Sequence, residues 1–241
     1  EQLWRQAQDG AEQLGDALAS TFGPMITAVL AQGGFVPLLA GDAFTAVFPA
    51  ATPEEQPLVF RRAIATAVAF QGSLAPASVD PQHPPATITA VKIGLSFGEV
   101  AWGLVDGGEQ WAYYFRGRPI DRAGYAQGLA QPGKIVADVT AVAACADIAA
   151  ACTLTPSPEE GFAYLSGHLS LPQPPAAPAP PPDPDAQAAF VPASVRSLAR
   201  SADFREACPV FISFASDVAE AALHRFVTAV LHHARRYGGT F

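Results

Sequence analysis

Charge is scarce in this chain, and basic charge most of all. Asp, Glu, Lys and Arg make up 15% of the 241 residues, and 14 Lys and Arg face 22 Asp and Glu, for a formal net charge of -8; ordinary globular chains carry roughly 25% charged residues. So small a basic complement argues against broad contact with a phosphate backbone, and nucleic acid is excluded as a main partner. Cysteine is nearly as scarce. Cys145, Cys152 and Cys208 show neither zinc-ligand spacing nor the dense, even pattern of a secreted disulfide scaffold, so a reducing, cytoplasmic setting is expected. Apolar runs are interrupted by Gly, Pro or charge before about 18 residues, which argues against a membrane span, and Glu1 opens no signal peptide. A first residue other than Met suggests a chain cut from something longer. What the sequence does have is apolar surface: 50% of its residues are hydrophobic, enough for one sizeable core with an appendage.

Apolar residues at Leu14, Leu18, Phe22, Met25, Ile26 and Val29 keep the three-and-four spacing of a buried helix face, which predicts a helix over 3–32, bent or weakened at Pro24 and ended by Gly33-Gly34. Two short apolar runs, Phe35 to Leu39 and Phe44 to Phe48, meet at Gly41-Asp42 and predict a β-hairpin with Asp42 at its tip. Pro53 and Glu54-Glu55 open a second helix to about Leu74. A Pro-rich loop follows. Strands are expected over 88–97 and 100–105, joined as a hairpin at Gly98-Glu99, with a third over 110–116 after Asp106-Gly107-Gly108. A helix over 119–130, a strand over 134–137, a helical stretch over 141–150 and a late edge strand over 161–165 complete this part.

Residues 171–187 are dominated by Pro and Ala without apolar periodicity and read as a linker. Beyond it come a short helix over 191–200, a buried strand over 209–214, and a helix over 217–237 with Asp217 as its N-cap. At an offset of 205 residues Leu18 pairs with Leu223, Phe22 with Val227, Met25 with Val230, Ile26 with Leu231, and Gly33-Gly34 with Gly238-Gly239. This is an internal repeat. The second copy carries a strand before its helix and the first does not.

Four stretches, in this order and spacing, resemble the class III adenylate and guanylate cyclase domain, particularly the tandem, soluble adenylate-cyclase-like type. They are Gly33 to Pro49 (GGFVPLLAGDAFTAVFP), Ile93 to Val100 (IGLSFGEV), Tyr113 to Asp121 (YYFRGRPID) and Pro132 to Val136 (PGKIV). The resemblance implies an α+β, ferredoxin-like βαββαβ cyclase fold lacking its first strand, with a C-terminal βα piece of a second copy. It divides the chain into a first cyclase-like domain over 1–170, a linker over 171–189 and the start of a second domain over 190–241. The strand over 209–214 is homologous to the missing one and could fill its slot.

In this family two domains face each other and share the nucleotide sites between them. One domain supplies two aspartates for two divalent cations, Mg²⁺ or Mn²⁺. The partner supplies a lysine and a polar base reader, then an asparagine and an arginine for the transition state. The ribose 3′-oxygen attacks the α-phosphorus with loss of pyrophosphate. Carried over by the resemblance, Asp42 takes the hairpin metal position, and a carboxylate is what Mg²⁺ requires. The other metal aspartate belongs to the missing strand. Leu38 stands at the base-reading lysine, Arg118 at the polar base reader, Asp121 at the asparagine and Tyr125 at the arginine. None of the four keeps the family's residue, and Tyr125 lacks the guanidinium fork that grips phosphate oxygens.

Two functions follow from the resemblance. In the first the chain is the metal-donating half of a tandem cyclase that makes cyclic AMP from ATP, with GTP as the other possible substrate and a second cyclase domain as partner. In the second it is a degenerate regulatory domain that binds nucleotide or anion, or only dimerises. Asp42 favours the first; Leu38, Asp121 and Tyr125 favour the second. On either, the isolated chain is expected to be inactive. Arg116, Arg118 and Arg122 read as a solvated cluster or a remnant anion pocket at a helix start, and Trp102 and Trp111 as packing or interface residues.

Overall fold

A computed structural model describes residues 9–73, 90–106, 111–143, 152–167, 169, 172, 183, 188–191 and 218–237. The expected strand over 209–214, the linker and most of the 191–200 helix lie outside the described residues. Contacts gather the chain into two units: 13–101 with 116–179, and 1–12 with 102–115 and 180–241.

The larger unit begins with helix α1 (Asp9–Ala31), which runs through Pro24 without a break. Pro24 removes one N–H, yet the helix keeps its packing: Phe22, Met25 and Val29 are buried, and that burial outweighs one lost hydrogen bond. The helix ends as expected. Gly34 N donates to Val29 O (2.9 Å) and Gly33 N to Leu30 O (3.0 Å), the paired closure of a Schellman motif with Gly33 at φ 80°. Strands β1 (Phe35–Ala40) and β2 (Ala43–Val47) form the expected antiparallel hairpin, with Ala40 opposite Ala43. A short 3₁₀ turn (Pro53–Glu55) leads into α2 (Gln56–Ser73).

Strand β3 (Ile93–Leu95) departs from the expectation. It pairs in parallel with β6 (Ile135–Asp138), not with β4 (Ala101–Asp106), so Gly98-Glu99 is no hairpin turn. Parallel neighbours need a crossover, and α3 (Arg118–Leu129) lies on the connection between them. A short α4 (Val139–Ala143) follows β6. The sheet order is β3-β6-β8-β7, with β7 (Cys152–Pro156) and β8 (Phe162–Gly167) antiparallel. β7 was not anticipated, and β8, expected at an edge, is flanked on both sides. Only one residue of β7 is buried, so it carries little of the apolar signal by which strands are recognised.

Both faces of β6 are buried. Ile135 and Ala137, with Cys152 and Leu165, pack on Phe60, Ile64 and Ala67 of α2. Val136, with Phe162 and Tyr164, packs on Ala126 and Leu129 of α3 and on Ala130 just beyond it. This alternation is the period of two that a strand imposes on its side chains. Gly94 makes the second layer possible. A Cβ there would fall 2.0 Å from Ala123 O and 2.3 Å from Gln127 N, so α3 can approach β3 only over a residue without a side chain. The β1-β2 hairpin is a separate two-stranded sheet, and among the described residues no strand lies between β2 and β3. Phe22, Met25, Val29 and Phe70 nonetheless pack on both, through Val36, Phe44, Ala46 and Phe48 on one side and Val91 and Ile93 on the other.

The smaller unit is built on β4 and β5 (Trp111–Arg116), which pair with each other. Leu223, Val227 and Leu231 of helix α5 (Glu220–Arg236) bury against Val105 and Ala112 of that hairpin, with Tyr114 and Phe226 alongside. The i, i+4, i+8 spacing of the three helix residues is the apolar stripe that the repeat predicted. Ala219, not Asp217, occupies the N-cap position. Among the described residues no helix is long and apolar enough to cross a membrane.

Candidate functional site

Asp42 is the second residue of the two-residue turn between β1 and β2, and it is exposed. Gly41 has φ 62° and, among the described residues, no non-glycine residue has a positive φ, so the turn has its positive φ at the first central position, where glycine is preferred in type II′ hairpins. The geometry holds the Asp42 carboxylate in solvent at the tip of a tight turn. Leu38, on β1, is 54% exposed, an apolar side chain in water at the position where the resemblance puts a base-reading lysine.

The other three positions share one helix. Gly117 precedes α3 and Pro119 sits in its first turn, a placement that suits the fixed φ and missing N–H of proline. Arg118, Asp121 and Tyr125 follow at i, i+3 and i+7, and all three are exposed. They form one solvent-facing stripe. Tyr125 lies with its ring centroid 5.3 Å from that of Phe162, which ties its base down against β8. The stripe thus offers a guanidinium, a carboxylate and a phenol.

A stronger electrostatic feature lies beside Asp121 on the same helix, at Arg122, and was missed by the sequence reading. Arg122 Nε donates to Asp138 Oδ2 at the end of β6. Arg122 Nη2 reaches Gly161 O at 3.4 Å, and its guanidinium lies 4.4 Å from the Phe162 ring centroid. Asp138 Oδ1 accepts from Thr140 Oγ1 (2.7 Å) and Thr140 N (3.1 Å), and Oδ2 from Ser96 Oγ (3.3 Å). Burial pushes the Asp138 carboxyl up, but the Arg122 hydrogen bond, the two Thr140 hydrogen bonds and the guanidinium charge outweigh it and bring it to about 2. Arg122 is held above its ordinary value, chiefly by the same hydrogen bond. It therefore belongs neither to a solvated cluster nor to a vacant anion pocket. Asp-x-Thr directly after an apolar strand was the available signal, because Asp and Thr in that spacing close on their own backbone.

The described residues do not by themselves make a divalent-metal site. Among them no group of three or more His, Cys, Asp or Glu is placed to hold an ion, and Asp42 offers one carboxylate.

No protein-family profile matches the chain, and no curated protein matches it significantly. Solved structures do match. The dimeric guanylyl cyclase domain of the RhoGC fusion protein from the aquatic fungus Blastocladiella emersonii aligns with a TM-score of 0.52 at 18% identity, over 66% of this chain and 84% of that one. The adenylyl cyclase CyaB from P. aeruginosa aligns with a TM-score of 0.50 at 15% identity, over 66% and 84%. The catalytic core of a rhodopsin-guanylyl cyclase with converted specificity, in complex with ATPαS, gives 0.51 at 13% identity, over 65% and 84%. The chain has the mixed α+β fold of nucleotidyl cyclase domains.

Proposed function

We propose that this chain is the metal-donating half of a tandem class III nucleotidyl cyclase, acting in signal transduction with a second cyclase domain as partner and ATP as substrate. The observation that carries the reading is Asp42, an exposed carboxylate at the tip of the β1-β2 hairpin, in a chain with the cyclase fold. Mg²⁺ or Mn²⁺ is the cation this reading calls for, with Asp42 as one ligand and a second carboxylate from outside the described residues. The remaining positions suit a domain relieved of base recognition and transition-state contacts. Leu38 carries no hydrogen-bonding group, and Tyr125 replaces a cation by a phenol packed on Phe162.

A regulatory domain without turnover is the second reading, and the α3 stripe favours it: Asp121 presents a carboxylate where a neutral amide would meet a nucleotide. One experiment separates the two. The chain joined to its complete partner domain is assayed for cyclic AMP and cyclic GMP with Mg²⁺ or Mn²⁺, beside Asp42→Ala. Product that disappears in the variant supports the metal donor; folded protein that makes neither product from either nucleotide supports the regulatory domain.

A further inference from the structure

We draw no further inference here: the strongest candidate, the outer aromatic face of the β4-β5 hairpin, where Trp102, Leu104, Trp111 and Tyr113 are exposed, carries none because nothing among the described residues shows what covers it.

Discussion

Arg122 on α3 and Asp138 at the end of β6 form an ion pair between two elements that the chain brings together only by a crossover. The Asp138 side chain is 2% exposed and that of Arg122 24%. The pair stitches the helix bearing Arg118, Asp121 and Tyr125 to the central strand of the sheet and, through Gly161, to the start of β8.

Removing one partner of a buried pair strands the other, and the usual cost is about 3–5 kcal/mol. Arg122→Ala is expected near the lower end, because Thr140 and Ser96 still donate to the abandoned carboxylate. Urea unfolding measures it. Arg122→Lys keeps the charge but loses the planar contact with Phe162 and the second arm to Gly161, so an intermediate loss is expected.

The pH dependence has a defined sign. An unfolded Asp titrates near 3.9, and Asp138 in the folded chain near 2. The unfolded chain binds the proton more readily, so this stabilisation is complete above about pH 4 and is lost as pH falls towards 2. Asp138→Asn, less stable at neutral pH, should show a flatter stability profile between pH 4 and 2. A variant profile parallel to the parent's would show that other carboxyls govern acid unfolding.

Two glycines of the β3-α3 layer make an internal contrast. Gly94→Ala forces a methyl group onto the Ala123 carbonyl and the Gln127 amide, and backbone atoms cannot yield as a side chain does, so a loss of about 3 kcal/mol or more is expected. Gly124→Ala meets nothing within 4 Å and should stabilise α3 by about 0.5–1 kcal/mol. Paired thermal melts check both.

In the smaller unit Leu223 is buried between α5 and the β4-β5 hairpin. Leu223→Ala should cost about 2–5 kcal/mol and raise amide exchange over α5. At Asp42, exposed in its turn, Ala should change stability by less than about 0.5 kcal/mol. Any large effect of Asp42→Ala on activity would then be chemical rather than structural.

Local signals were legible wherever one stretch of chain decides its own conformation. Gly33-Gly34 ends α1 through bonds to its own last turn, Gly41-Asp42 closes the hairpin, and the stripe of Leu223, Val227 and Leu231 is buried as its spacing requires. The failures share a different cause. Gly98-Glu99 looks like a hairpin turn because the residues on both sides are strand-like, but which strand accepts β3 depends on β6, forty residues away. β7 carries too few buried residues to announce itself. Arg122 is one of three arginines within seven residues, and only the crossover that lays α3 over β6 distinguishes it from its neighbours.

The sequence by itself determined most of the elements and their amphipathic faces, and the exposed turn that carries Asp42. These depend on side-chain identity, on backbone freedom at particular glycines and on a spacing of three or four residues. Only the tertiary structure decided which strands pair, that β6 is buried on both faces, and that Arg122 is bound to Asp138 while Arg118, four residues earlier, remains in solvent. Pairing and burial are properties of elements distant in the chain, set by the requirement that buried apolar faces meet and that a buried carboxylate find its cation.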